Sequence, residues 1–459
     1  MYPFPMSQRL RRALGLTLVL AAFVSLRPQA QSPDRSNHVV IISLDGFKAS
    51  ALADPAQPLP NLRRLARAGA VARTMRPVNP TVTWANHTAM VTGVTPAKHH
   101  VVYNGLLVRE PGMPPRVEPW RDKNDMVGVP TVYDLAHAQG LTTAQVDWVA
   151  IWNAPTVTWE FRERPDPQGA IAREMIAAGM VSQLDIETFS PKNIVYRDEV
   201  WTRAAAHIIR QHKPNLMMFH LLTLDSTQHR YGPGTLAAQG VMALLDAQVG
   251  EIVRAVTDAG IADRTTFLVV SDHGFRTVKR QINPNVALAA AGLVEVSEGK
   301  AAKADAWVVP EGGSAVAFVT SPDPGGQLLA RMKQALTGLE GVDRIIEPGG
   351  YAELGLPDPA GNNQMGELFV TAKDGYAFTA AVAGETATDA SEGSLGAHGY
   401  LNTDPELGAI FIASGRGIRR GGTLDAITNL SVAPTIAALL GLRLENADAA
   451  PLTEILTLK

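Results

Sequence analysis

An α/β sandwich built on a mostly parallel central sheet is the fold this chain predicts, with a small α+β insertion late in the sequence. Three observations predict it. Short, continuously apolar runs alternate with longer segments of helical spacing. The apolar runs carry no polar alternation, as expected for parallel strands covered on both faces. Chemistry-bearing residues stand directly after several of these runs, where open α/β sheets gather ligands.

Residues 38–44 (His-Val-Val-Ile-Ile-Ser-Leu) read as the first such strand. Helical spacing follows over 59–70, with Leu62, Leu65 and Ala66 on one face. Residues 142–148 are a weaker strand. A helix is expected over 198–211, a strong strand over 215–222, a long helix over 240–259 and a strand over 265–271. Strand and helix alternation of this kind argues right-handed crossovers around one sheet. From 281 to 389 the character changes to Gly- and Pro-rich sequence with short runs at 314–320 and 368–372, read as an inserted α+β subdomain. Residues 430–441 return to helix. The catalytic core is thus expected over 36–280 and 390–459.

Composition narrows the chemistry. The chain has 459 residues, 46% hydrophobic and 19% charged, enough for a sizeable core. A net charge of -3 gives no bulk electrostatic reason to bind nucleic acid or an anionic membrane. There is no cysteine, so any metal must use His, Asp, Glu or hydroxyl ligands. Residues 1–30 read as an export signal of bacterial type. Arg9, Arg11 and Arg12 precede an apolar run over 13–26 that is short for a membrane span. Cleavage is expected after Ala30, although Pro28 fits the −3 position poorly; the alternative is an uncleaved anchor. Residues 32–37 read as a polar linker. The mature body is expected to be free of membrane, in the periplasm or outside the cell. The sequence leaves the oligomeric state open.

Four patches carry the candidate chemistry. Asp45 ends the first strand before Gly46. Asp225 and His229 stand four apart in Leu-Asp-Ser-Thr-Gln-His-Arg-Tyr-Gly-Pro. Asp272 and His273 close the strand at 265–271 before Gly274, and His398 lies in Gly-Ala-His-Gly-Tyr. An Asp-x-x-x-His spacing puts both side chains toward one point on a helix or across a tight loop. Adjacent Asp272 and His273 would diverge in a regular strand but need not at its end. Three Asp and three His suffice for two ions bound by nitrogen and oxygen, an arrangement that clamps the attacking and leaving oxygens of a phosphoryl group. Such a site needs a nucleophile. Thr83 precedes a helix expected over 85–91, where free N–H groups and the helix dipole favour an alkoxide and bind phosphate; taken alone, it reads as a helix N-cap.

The order Asp45-Gly, Thr83-x-x-Asn86-His87, Asn104, Asp225-x-x-x-His229, Asp272-His273-Gly and His398-Gly-Tyr resembles the alkaline phosphatase superfamily, and within it the type I phosphodiesterase/nucleotide pyrophosphatase family. The likeness spans residues 39–400. It implies the alkaline-phosphatase-like α/β/α sandwich and two zinc ions per chain. One ion would be held by Asp45, Asp272 and His273 and would touch the Thr83 oxygen; Asp225, His229 and His398 would hold the other. Thr83 would be the nucleophile, forming a phospho-threonine, and Asn104 would donate to a non-bridging phosphate oxygen.

Two departures stand out. The family usually has Phe-Pro after the nucleophile, where this chain has Trp84-Ala85, and His-Gly before the asparagine segment, where this chain has His99-His100. Trp84 offers a flat ring for a substrate group, and equally reads as a buried aromatic. His87 reads as a structural hydrogen-bonder and Thr81 as a rival hydroxyl. His99 and His100 read as support for the site or as surface residues, and Ser226 as part of its loop.

The expected function is an exported zinc-dependent phosphodiesterase or nucleotide pyrophosphatase acting on a small-molecule phosphate ester. The alternatives are a phosphomonoesterase, with Arg162 and Arg164 supporting the extra charge, or a phosphonate hydrolase. A metal-binding module without catalysis is disfavoured, because Thr83 and Asn104 are present beside all six ligands.

Overall fold

The computed structural model describes residues 35–390 and 393–457. The expected export signal lies outside these residues. Eight strands form the central sheet: β1 (His38–Leu44), β2 (Ala70–Arg76), β3 (Thr143–Val146), β4 (Trp159–Phe161), β5 (Leu216–Leu221), β6 (Thr265–Val270), β7 (Phe411–Gly415) and β8 (Gly422–Thr428). Their spatial order is β8-β2-β7-β6-β1-β5-β3-β4. All neighbours pair in parallel except β7, which runs against both β2 and β6. The sheet is therefore mostly parallel, as expected.

The apolar run of β1 is buried along its whole length because helices cover both of its faces. Val40, Ile42 and Leu44 point to one side. There they meet α1 (Pro60–Ala68), α4 (Ile194–His212) and α6 (Leu236–Asp258), through Leu62, Trp201 and Ile252 among others. Val39 and Ile41 point to the other side, toward α2 (Thr83–Thr92), α3 (Val132–Ala138) and α7 (Val432–Leu439). This period-2 division of one apolar strand between two cores makes the three-layer sandwich. α6 is long and apolar enough to cross a membrane by length and composition. Its Leu245, Val249, Ile252 and Val256 are instead fully buried against α4 and the sheet.

Sequence reading and structure differ at several elements. The helix expected over 59–70 ends at Ala68, and Gly69 turns the chain into β2, a strand the sequence did not suggest. A Cβ at Gly69 would lie 1.9 Å from the Ala413 carbonyl oxygen, so the close approach to β7 requires glycine there. Of the two settings that the Asp-x-x-x-His spacing allows, Asp225 and His229 take the helix, α5 (Thr223–Tyr231). The helix expected over 85–91 begins at Thr83 itself, with Val82 as its extended N-cap, so Thr83 is a first-turn residue and not the cap.

Between 281 and 389 lies a four-stranded antiparallel sheet, in the order Ala306–Pro310, Ser314–Val319, Leu368–Ala372, Val342–Ile346. It is packed by Phe318, Phe369, Met332 and Leu336. Its first turn matters to the site, because the Gly313 N–H donates to the His398 carbonyl at 2.8 Å.

Candidate metal centre and nucleophile

Three adjacent strands deliver the polar residues. β1 lies between β5 and β6 in parallel register, with Leu44 opposite Leu221 and Ser43 opposite Val270. Their carboxyl ends are therefore level. Asp45 follows β1, α5 starts just after β5, and Asp272 and His273 follow β6. The chain must leave β1 sharply: Gly46 has φ 71°, and a Cβ there would meet Phe275 at 2.7 Å. His398 follows the short strand Gly396–Ala397, which pairs with Arg276–Thr277 just beyond His273, and is followed by Gly399 at φ 83°, where a Cβ would lie 1.6 Å from the Glu311 carbonyl oxygen. Asp45 and His398 are thus each followed by a position that only glycine can fill.

The side chains converge as two overlapping groups. Asp225, His229 and His398 bring one donor atom each within 4.8 Å of one another, and so do Asp45, Asp225 and His273. Asp225 Oδ1 lies 3.4 Å from His229 Nε2 and 3.7 Å from His398 Nε2. His273 Nε2 is 3.1 Å from Asp272 Oδ2 and 3.5 Å from Asp45 Oδ1. Asp225 therefore faces both groups, whereas the sequence reading assigned it to one.

The donor set fits a bound cation. Asp45 Oδ1, Asp225 Oδ1, Asp272 Oδ2 and His273 Nε2 are buried without a hydrogen-bond partner. Buried carboxylates without partners are costly unless paired or coordinating a metal. The backbone orients the imidazoles to the same end. His229 Nδ1 donates to the Gly396 carbonyl at 2.9 Å, His398 Nδ1 to the Thr81 carbonyl at 2.9 Å and His273 Nδ1 to the Gly274 carbonyl at 3.1 Å. A ring with its Nδ1–H so engaged presents the Nε2 lone pair to the centre. Burial, aided by neighbouring His273 and His229, pushes His398 down to about 3 and keeps its ring neutral. For His273 burial acts in the same direction, but Asp272, Asp45 and Asp225 outweigh it and hold the ring up at about 9.

Thr83 opens α2 at the edge of this cluster. Thr83, Trp84, Asn104, Asp225, His229 and His398 line one cleft of about 290 Å³. The Trp84 N–H donates to Asn104 Oδ1 at 3.0 Å. That bond fixes the amide with its oxygen toward the helix, leaving the N–H pair for the cleft. The rival Thr81 hydroxyl is buried and donates to the Tyr400 carbonyl at 2.8 Å. His87 Nδ1 bonds the Thr83 carbonyl at 2.8 Å, and burial pushes its pKa down to about 3. His99 is buried and accepts from the Val101 N–H, His100 is exposed, and neither lines the cleft, nor does Ser226.

The arginines are engaged beside the cleft. Arg162 is ion-paired with Glu160 at 2.6 Å and lies over the Trp152 ring, and Arg164 lies over Trp120. Neither lines the cleft.

Three residues that the sequence did not single out, His220, Asp147 and Trp120, line the cleft. His220, inside the apolar strand β5, places Nε2 3.0 Å from Asp45 Oδ2 and Nδ1 3.0 Å from the Asp147 carbonyl and 3.1 Å from Asp147 Oδ2. Trp120 adds a ring to the cleft wall, its Nε1–H donating to Glu163 at 3.1 Å. A histidine amid Leu-Met-Met-Phe reads as core, and neither Asp147 nor Trp120 carries a spacing signal.

Comparison with known proteins gives this arrangement a family. The sequence profile described as type I phosphodiesterase / nucleotide pyrophosphatase matches residues 39–401. Human ectonucleotide pyrophosphatase/phosphodiesterase family member 7 is 25% identical over 95% of this chain and 87% of its own length. Mouse family member 1 is 22% identical over 62% of this chain, which spans 29% of that relative's length. Among solved structures, murine ectonucleotide pyrophosphatase/phosphodiesterase 5, an inactive threonine-to-alanine variant in complex with AMP, superposes with a TM-score of 0.70 at 18% identity, covering 92% of this chain and 100% of that one. The chain belongs to the type I phosphodiesterase/nucleotide pyrophosphatase family, within the alkaline phosphatase superfamily, and is a phosphoric ester hydrolase.

Proposed function

We propose that this protein is an exported, zinc-dependent phosphodiesterase/nucleotide pyrophosphatase that works through a covalent phosphate ester on Thr83. The observation that carries the proposal is the set of four buried, partnerless donor atoms on Asp45, Asp225, Asp272 and His273 beside the first residue of α2. Asp45, Asp272 and His273 would hold one zinc ion, and Asp225, His229 and His398 the other. Bound zinc would supply Lewis-acid stabilisation of phosphate charge and lower the pKa of hydroxyl groups near it.

The protein's own groups do the rest. The Thr83 oxygen forms a bond to phosphorus in line with the departing alcohol or nucleotide, whose P–O bond breaks. Water then cleaves the phospho-threonine and returns the hydroxyl. The Asn104 amide donates to a non-bridging oxygen throughout, and the positive end of the α2 dipole favours the anion. Trp84 and Trp120 form flat walls suited to the second substituent of a diester. The murine neighbour, inactive as a threonine-to-alanine variant and bound to AMP, supports both the nucleophile and the nucleotide substrate class.

The test is turnover of a chromogenic phosphate diester by the metal-stripped and zinc-reconstituted protein, with elemental analysis alongside. At least two zinc ions and restored turnover are expected. A reconstituted protein that holds fewer than two, or holds two and turns nothing over, overturns the reading.

A further inference from the structure

Away from the cleft, one helix and the end of another bring together Glu174, His207 and His212. Glu174 belongs to the helix Ala170–Ala177, and both histidines belong to α4. His207 Nε2 and His212 Nε2 each lie 2.8 Å from the same oxygen, Glu174 Oε2. The three donor atoms fall within 4.8 Å of one another. None of the three residues lines the catalytic cleft.

We infer that Glu174, His207 and His212 form an additional transition-metal site, of a kind that takes zinc. Two imidazoles and one carboxylate, without sulfur, are a donor set suited to zinc, copper or nickel, and three protein ligands leave a position for water. The two rings are splayed rather than stacked, their planes 73° apart, while both Nε2 atoms face the same Glu174 oxygen. His212 is held in place by stacking on Trp159, with ring centres 3.7 Å apart and planes 22° apart. The histidine side chains are 11% and 16% exposed and Glu174 36%, so the rings are braced while the carboxylate edge reaches water. Ion binding opens the donor atoms by only about half an ångström, to the spacing of ligands on zinc, and moves the imidazole protons from Nε2 to Nδ1. An ion here would tie the helix Ala170–Ala177 to the C-terminal turn of α4.

Without metal the same three residues make an ordinary hydrogen-bonded tie, and the experiment separates the two. The full chain is loaded with zinc, freed of loosely held metal and titrated with zinc by calorimetry. Expected is one more tightly held zinc, with a dissociation constant below about 1 μM, than in Glu174→Gln and in His207→Ala/His212→Ala. Glu174→Gln is the decisive variant, since its amide oxygen still accepts from both imidazoles while its metal affinity is poor. It is expected to fold, to keep wild-type diester turnover, and to lose the rise in melting temperature that zinc gives the wild type. Equal zinc stoichiometry in wild type and Glu174→Gln overturns the inference, as does a zinc-induced rise in melting temperature that survives in Glu174→Gln. Because the variants are compared with wild type, loss of ions from the cleft would not imitate the expected result.

Discussion

His220 Nε2 lies 3.0 Å from Asp45 Oδ2, and its other nitrogen faces Asp147, so one buried ring on β5 joins two carboxylate residues that follow β1 and β3, the strands on either side of it. Both ring nitrogens face acceptors. Burial works against charge on His220, but Asp147 and Asp45 outweigh it and hold the pKa well above the ordinary value. The contact occupies one Asp45 oxygen and leaves Oδ1 free toward His273. Residues that orient a ligand in this way typically change metal affinity 10–100-fold when removed. His220→Ala is therefore expected to shift the dependence of activity on free zinc to about 10–100-fold higher concentration, with activity recovered at saturating zinc. An unshifted zinc curve would mean that Asp45 is held without His220.

Thr83→Ala is expected to remove turnover, by at least about 10³-fold, as when a nucleophile is deleted. Metal content should stay unchanged, since six other side chains supply the donors. Thr83→Ser keeps the oxygen and should keep substantial activity. Near wild-type turnover in Thr83→Ala would place the nucleophile elsewhere. Thr81, the nearest rival, is committed to the Tyr400 carbonyl.

Asn104→Ala is expected to lower the rate by about 10²-fold, the usual cost of one oxyanion donor. Asn104→Asp sharpens the test. It retains the oxygen that accepts from the Trp84 N–H, but it loses the donor and adds negative charge facing phosphate. It should be at least as slow as the alanine variant. If Asn104→Asp keeps wild-type kcat/KM, the amide's role is only to brace α2.

How much of this was legible in the sequence depends on where the information sits. β1 and β6 could be read because both faces are buried, leaving unbroken apolar runs before Asp45 and Asp272. β2 and β8 could not. β2 alternates exposure along Ala-Val-Ala-Arg-Thr-Met-Arg, and β8 is an edge strand with exposed Thr423 and Asp425. The six donors were legible because each is followed by a glycine turn or spaced along one helix. His220, Asp147 and Trp120 were not, since their parts arise from contacts across distant segments. Thr83 looked like a cap because Thr is a common N-cap residue, yet its backbone is already helical and extended Val82 takes that position.

Lys123 and Asp134 should limit stability in acid. Lys123 Nζ lies 2.7 Å from Asp134 Oδ2, which also accepts from the Thr131 N–H, while Oδ1 accepts from Thr156. Burial pushes the Asp134 carboxyl up, but these partners outweigh it and hold its pKa below the ordinary value. The stability it contributes is therefore complete above the unfolded carboxylate pKa, near 4. It is lost as pH falls through the lower folded value. Asp134→Ala leaves Lys123 buried without its anion and should cost about 3 kcal/mol in denaturant unfolding at pH 7. Lys123→Met in the same background should restore part of that. A cost of a few tenths of a kcal/mol, or no recovery in the double variant, would show that water reaches Lys123 and replaces the pair.

The electrostatics of the cleft also predict a choice between substrates. A phosphate monoester dianion carries one more negative charge than a diester. The described residues lining the cleft include no Lys or Arg, and they include Asp147, Glu163 and Asp225. Arg162 is paired with Glu160, and Arg164 is stacked on Trp120 outside the lining. Beyond bound metal and Asn104, little remains to support the extra charge, whereas Trp84, Trp120 and Val149 offer surface for a second substituent. A preference for diesters over monoesters of at least about tenfold in kcat/KM is expected, equivalent to about 1.4 kcal/mol. A panel of a phosphate diester, a phosphate monoester and a nucleoside triphosphate on the zinc-loaded protein measures it. If the monoester is faster, and Arg162→Ala or Arg164→Ala removes that advantage, an arginine swings into the cleft on binding and the enzyme is a phosphomonoesterase.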